Sequence, residues 1–421
     1  MSDPAAQEPT ALPLVVQTVA VDDPGALVDL LPREHNTAWV RGGDGLVGWG
    51  RTASLDTRGA SRFADAQEWW DAIGASAVVR DSVRLPGTGL VAFGSFGFAD
   101  DPGDSVLVVP EVVVGRRGDR SWITTISPAV LSTPPIVAVA DSPDDPRDVV
   151  FADGPVSGAQ WERVVAEAVR RINDGDLDKV VLARDLVAEM REPLDVRSPL
   201  RRLADWYPLC WTFHVDGLFG ATPEMLVRRE RGLVTSRVLA GTIRRTGDDE
   251  HDLALAASLA RSSKDLEEHE YAVRSVAEAL APHCTSMNVP ESPFVLHLPN
   301  VMHLATDVAG VIDVHDQEGT SSLELAAALH PSAAVGGTPT PTALKVITEI
   351  EGMDRGRYAG PVGWIDAAGD GEWGIALRSA EVTGNRVRLF AGCGIVADSD
   401  PEAELAESQA KFIPVRDALS R

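Results

Sequence analysis

Basic charge is scarce in this 421-residue chain. Only 38 lysines and arginines stand against 63 aspartates and glutamates, a formal charge of −25. That balance excludes general nucleic-acid binding through a basic face, which needs clustered Lys and Arg against phosphate. It also means that an anionic substrate would need a local source of positive charge. Cysteine is scarce too: Cys210, Cys284 and Cys393 lie far apart, with no CxxC. An odd, scattered set argues against a disulfide framework and suits a reducing compartment, so a cytoplasmic protein is expected. No apolar run reaches the length of about 18 residues that a transmembrane helix needs, so no membrane association is expected. The acidic, polar start from Met1 to Thr10 lacks the basic and apolar regions of a secretory signal. P-loop and dinucleotide glycine spacings are missing, as are HExxH and GxSxG. Nucleotide binding, metalloprotease chemistry and serine-triad chemistry are therefore unsupported.

What is present suffices for a large core. Hydrophobic residues make up 44% of the chain, and a chain of this size buries roughly three-quarters of its unfolded surface. Residues 1 to about 12 read as a disordered tail. Residues 13–150 read as β-rich, with short apolar runs such as Leu90–Phe93 and Val106–Val109 separated by Gly, Asp and Pro. One helix is expected near Ala64 to Ile73. The stretch 140–147, with two prolines and three aspartates, is the best linker candidate. From 151 to 421 the elements lengthen. Trp161, Val165, Ala168 and Ile172 mark an amphipathic helix that Gly175 stops. Lys179 to Arg184 (KVVLAR) reads as a buried strand, and further strands are expected at Trp211–Val215, Gly374–Arg378 and Val387–Ala391. One long helix is expected from about Asp252 to Leu280. A last helix starts near Pro401, capped by Ser399 or Asp400, and Pro414 is expected to kink or end it.

Three features could carry chemistry. Lys179 opens a strand so apolar that it sits either at a wet strand end or in a cleft, as a base of lowered pKa. Asp265 and Glu268 share one helix face at i, i+3, and Glu404 and Glu407 repeat that pair, with Lys411 one turn beyond. Such pairs are ordinarily solvated surface. Their recurrence on two helices suggests instead a hard cation such as Mg²⁺, which takes carboxylates, waters and an anionic substrate group. A cation there would also turn an acidic pocket into an anion site. Glycine-rich turns at Gly220, Gly241, Gly336–Gly337 and Gly392–Gly394 are tight turns whose N–H groups could also hold a carboxylate. His303 is a lone histidine, which is most simply a hydrogen-bonded core residue.

Ten segments in order carry a resemblance: KVVLAR (179–184), FGATPEML (219–226), LAGT (239–242), SKDLEEHEYAV (263–273), HLAT (303–306), HPSAAVGGTP (330–339), RYAGPVGW (357–364), GEWGIALRSA (371–380), LFAGCGIV (389–396) and PEAELAESQAK (401–411). Together they resemble the chorismate-utilising enzymes, most of all isochorismate synthase, over about residues 155–415. The resemblance implies an α/β fold of the α+β type: a single large unit like anthranilate synthase component I, with two packed, mainly antiparallel sheets and outer helices. The linker near 140–150 would then not separate independently folding domains.

The resemblance also implies roles. Lys179 would be the general base and Glu224 the general acid. Glu268 and Glu407 would hold Mg²⁺, with Asp265 and Glu404 beside them. Arg378, Tyr358, Lys411 and the backbone at Gly392 would meet the pyruvyl carboxylate. Gly241, in the Gly241-Thr242 turn, would offer its N–H to the ring carboxylate, and His303 would line the ring. Water attack at C2 with loss of the C4 hydroxyl would convert chorismate to isochorismate. Relatives that use ammonia from an amidotransferase usually carry glutamine at the Lys179 position, so no amidotransferase subunit is expected, and the chain would act as a monomer or homodimer. Salicylate synthases share the lysine but typically carry threonine where this chain has Ala334, which favours release at isochorismate. Salicylate synthase and anthranilate synthase component I remain the alternatives on this scaffold. Two departures touch the site's surroundings: Leu266-Glu267 stands where relatives usually have Arg-His, and Leu-Ala-Glu-Ser-Gln where Trp-Arg-Glu-Thr-Gly is commoner. The resemblance does not choose between menaquinone and catechol-siderophore formation.

Overall fold

The computed structural model describes residues 13–298, 301–312 and 320–420, without the side chains of Lys264 and Glu268. The tail expected over residues 1 to about 12 lies outside these residues. Strands gather into a 13-stranded and a 10-stranded sheet, both almost entirely antiparallel. Each sheet mixes early and late parts of the chain. The strand Asn36–Arg41 pairs with Trp211–Val215 in the large sheet, and Val91–Ser95 pairs with Pro361–Asp366 in the small one. Trp39 and Phe213 of the large sheet share one buried core with Phe93 and Trp373 of the small sheet. Among the described residues no helix is long and apolar enough to cross a membrane.

The lysine strand, Lys179–Glu189, is buried along most of its length. It pairs antiparallel with Arg386–Ile395 from Val180↔Ile395 to Glu189↔Arg386. The preceding helix, Gly158–Asn173, is fixed at its start by a reciprocal Ser157–Gln160 capping box and turns Trp161, Val165, Ala168 and Ile172 inward. The Trp161 indole N–H donates to the Ala183 carbonyl at 3.1 Å, tying helix to strand. On the same edge of the strand Glu351 accepts the Ala183 N–H at 2.7 Å, while Arg355 donates to the Val181 carbonyl at 2.6 Å. Glu351 and Arg355 also pair with each other at 2.6 Å, with side chains only 1% and 3% exposed. Removing one partner strands a buried charge, so Glu351→Ala is expected to cost about 3–5 kcal/mol. The denaturant midpoint checks it, and a loss below about 1 kcal/mol would show that the pair does not brace the strand.

The structure corrects three expectations. The helix expected from Asp252 to Leu280 is two helices, Asp249–Leu259 and Ser263–Leu280. Ser262 breaks it: its side chain accepts the Asp265 N–H and starts a new helix, while the apolar stripe runs on across the break. Of the two outcomes expected at Pro414, the end is corrected: the last helix, Pro401–Ser420, continues through it. The lost N–H and ring clash cost about 3 kcal/mol, which burial of Phe412, Val415, Ala418 and Leu419 offsets. Asp400 caps this helix, accepting the Ala403 N–H at 2.9 Å. The strand expected over Gly374–Arg378 is Gly371–Ile375, because the chain leaves the small sheet there.

Candidate active site

Two connections between the sheets lie side by side. The strand Leu218–Thr222 belongs to the large sheet and Met225–Glu230 to the small one, so Pro223-Glu224 is a crossover. Gly371–Ile375 and Ser379–Thr383 make the return crossing through residues 376–378. The two crossings are laced together: Ala221 N–H donates to the Arg378 carbonyl at 3.2 Å, and Ile375 N–H to that of Glu224 at 3.1 Å. A Cβ on Gly220 would stand 2.6 Å from the Arg378 carbonyl oxygen, so the close approach requires glycine. Arg378 itself has φ of 49°, a left-handed conformation that costs a side-chain-bearing residue energy and concentrates at functional sites.

A cavity of about 220 Å³ opens beside these crossings. Its walls carry Lys179, Glu224, Gly241, Thr242, Asp265, His303, Ala334, Tyr358, Arg378, Gly392, Glu404, Glu407 and Lys411. Every candidate residue from the sequence whose side chain is described thus borders one space. Glu268 is the exception, since its side chain lies outside the described residues.

Each wall has a local cause. Lys179 begins its strand opposite Thr338, and Val181 lines the same cavity two residues on, as strand alternation requires. At Gly241 the pairing of Leu233–Arg244 with Val301–Val311 slips by one residue between Ala240 and Thr242. Gly241 takes φ of 77°, and a Cβ there would press on Asp265 at 3.2 Å. This glycine bulge brings His303 opposite Thr242, with His303 Nδ1 3.0 Å from the Thr242 hydroxyl. The other ring nitrogen, Nε2, is buried and has no partner among the described residues. Tyr358 stacks on Phe390 with ring centroids 5.1 Å apart. Asp265 and Glu404 each occupy the first turn of a helix, where the macrodipole favours a carboxylate.

Burial sets the protonation states. Glu224 is 6% exposed, and desolvation pushes its carboxyl up to about 8 against the pull of the Leu239 N–H, Lys179, Arg378 and Lys411. It therefore carries its proton at neutral pH. His303 is driven down to about 3 by desolvation, then by Arg378 and Lys411, and is neutral. Burial drives the Tyr358 phenol up to about 12. Burial also works to raise the Glu407 carboxyl, but Lys411 outweighs it and holds Glu407 below the usual range. Lys411 Nζ lies 2.6 Å from Glu407 Oε1 and donates to the Gly392 carbonyl at 2.8 Å.

The donor set suits a hard cation. Asp265, Glu404 and Glu407 offer carboxylate oxygens from two helices to one cavity that also contains arginine and lysine for anionic groups. Several contributing residues had no signal in the sequence. Ser399 donates to Glu404 Oε1 at 2.8 Å, although local reading places it only as a helix cap. Thr222 Oγ1 accepts the Glu224 N–H at 3.2 Å. Arg355 lines the cavity from a loop in which nothing distinguishes it as a sequence.

Known proteins resemble this chain over nearly its whole length. The profile of the chorismate binding enzyme family matches residues 15–420. Isochorismate synthase MenF of Bacillus subtilis is 31% identical over 404 residues, covering 89% of this chain and 85% of that protein. The salicylate biosynthesis isochorismate synthase of Pseudomonas aeruginosa is 35% identical over 407 residues, covering 88% and 82%. The crystal structure of DhbC from Bacillus anthracis, named for a 2,3-dihydroxybenzoate-specific isochorismate synthase, superposes with a TM-score of 0.77 at 32% identity, over 94% of this chain and 99% of that one.

Proposed function

The chain belongs to the chorismate binding enzyme family, and from that premise we propose that it is an isochorismate synthase, an isomerase that converts chorismate to isochorismate with Mg²⁺. The observation that carries this reading is one cavity holding a lysine and a protonated buried glutamate beside a carboxylate cluster.

Lys179 acts as the base. Its amine takes a proton from a water molecule, whose oxygen bonds to C2 of the ring. The ring double bond shifts and the bond from C4 to its hydroxyl breaks. Hydroxide is a poor leaving group, and Glu224 gives it a proton as it departs, so that one water enters and one leaves. Arg378, Tyr358, Lys411 and the backbone around Gly392 face the pyruvyl carboxylate, while Gly241 and Thr242 face the ring carboxylate. His303, neutral and held by Thr242, lines the ring. Asp265, Glu404 and Glu407, with Glu268 on the same helix as Asp265, would hold the cation. When bound, Mg²⁺ supplies the countercharge for the ring carboxylate and draws electron density from the ring.

Glu224 makes the rate depend on pH in a definite sense. An acid that must be protonated is competent below its pKa and lost above it. The kcat/KM is therefore expected to lose the contribution of Glu224 above pH about 8, falling by up to tenfold per pH unit. Glu224→Gln removes the transferable proton, and is expected to slow turnover by ~10²–10⁴-fold and abolish that alkaline limb. A limb that persists in Glu224→Gln would assign it to another group.

A further inference from the structure

We propose that Arg355, with Glu351 as its counterion, is a positioning residue that holds Lys179 where it meets the attacking water. The inference rests on the reading of Lys179 as the base and adds the device that keeps that base in place.

One edge of the Lys179 strand pairs with Arg386–Ile395 from Val180 to Glu189. On its other edge Gly337–Thr338 covers only Lys179 and Val180, and Val150–Asp153 covers only Leu186 to Glu189. The backbone between them is buried with no strand beside it, and each unmet polar group there would cost about as much as a lost hydrogen bond. Other groups take the strand's place. The Val181 N–H donates to the Gly336 carbonyl at 2.9 Å. Arg355 Nη2 donates to the Val181 carbonyl at 2.6 Å, and Glu351 Oε2 accepts the Ala183 N–H at 2.7 Å. The two side chains thus stand in for the missing strand next to the start that carries Lys179.

The same guanidinium holds a second wall. Its Nη1 donates to the Val335 carbonyl at 3.0 Å and its Nε to Glu351 Oε1 at 2.7 Å, while the Phe98 ring centroid lies 4.2 Å from it. Lys179, Val181, Ala334, Val335 and Arg355 all border the cavity. One planar fork therefore sets the spacing between the strand that carries the base and the segment that carries Ala334. Stability alone would not require a charge here, since apolar residues of similar volume commonly replace a buried ion pair without loss. Apolar residues could not hold two backbone carbonyls, and a lysine, a point charge on a flexible stem, lacks the fork that fixes their spacing. Position matters because a base must stand within hydrogen-bond reach of the proton it takes. A displacement of about 1 Å is enough to cost about 10²-fold in rate.

The test is a double-mutant cycle on the full chain, read in kcat and KM for chorismate with Mg²⁺. Arg355→Lys keeps the charge and loses the fork. It is expected to lower kcat by about 10²-fold and to leave KM within about threefold, because Arg378, Tyr358 and Lys411 still face the substrate. In the Lys179→Ala background the same change is expected to cost nothing further, since no amine is left to position. Glu351→Gln keeps an acceptor for the Ala183 N–H and removes the counterion. It is expected to lower kcat by roughly tenfold, again only where Lys179 is present, and it carries the test if Arg355→Lys fails to fold. A kcat within about twofold of wild type in either folded variant would overturn the proposal. A raised KM at unchanged kcat would make Arg355 a substrate ligand instead. Losses that add in the Lys179→Ala background would show a general disturbance of the site and leave the base reading intact. Near-normal turnover in Lys179→Ala alone would overturn that reading and this proposal with it.

Discussion

Replacing Lys179 by alanine is expected to lower kcat for isochorismate formation by ~10²–10⁴-fold, the scale of a positioned acid–base group. The side chain opens its strand at the cavity wall and is not part of the buried core. The loss should therefore appear in turnover and not in the free energy of unfolding, which should change by less than about 0.5 kcal/mol. Steady-state kinetics and equilibrium unfolding on the same preparation separate the two. Near-normal turnover would take the base away from Lys179. A large stability loss would assign the lysine a structural role.

The second large effect concerns the carboxylates. Glu407→Gln keeps size and shape but removes the charge that Lys411 pairs with. A hard cation then loses an anionic ligand, and its half-saturating concentration is expected to rise at least ten- to hundredfold. Glu268→Gln is expected to act in the same direction. Titrating activity with Mg²⁺ at saturating chorismate gives the number. An unchanged half-saturation in both variants would remove the two helices from the cation site.

Local chemistry made much of this fold readable. The helix of Trp161 and Ile172, the buried KVVLAR strand and the capped start of the last helix follow from periodicity, capping and apolar runs, which act over a few residues. The failures share a cause as well. The break at Ser262 was hidden because the apolar stripe continues in phase across it, and a serine pair signals a cap only weakly. Pro414 reads as a stop because local rules count its missing N–H, while the tertiary burial of Phe412 and Leu419 that offsets it is invisible along the chain. The site divides in the same way. Lys179, Glu224 and the carboxylate pairs stand in recognisable motifs, and all that are described reach one cavity. The two sheet crossings that place Glu224 beside Arg378 depend on pairings between strands about 150 residues apart. The Ser399–Glu404 contact and the Glu351–Arg355 pair are local contacts of ordinary residue types that read as a helix cap and a surface pair, while the reach of Glu351 and Arg355 to the backbone of the Lys179 strand is long-range and has no local pattern to reveal it.

The central claim, that water and not ammonia attacks the ring and that the product leaves as isochorismate, is decided by product identity. Purified chain is incubated with chorismate and Mg²⁺, with and without ammonium, and the products are resolved by chromatography. Isochorismate is expected as the main product in both cases, with little salicylate at neutral pH and no anthranilate. Ala334 offers no hydroxyl to retain the bound product, and one such hydrogen bond is worth only about 0.5–1.5 kcal/mol, a few-fold to roughly tenfold in partitioning. Salicylate with pyruvate as the main products, or anthranilate appearing with ammonium, would contradict the account.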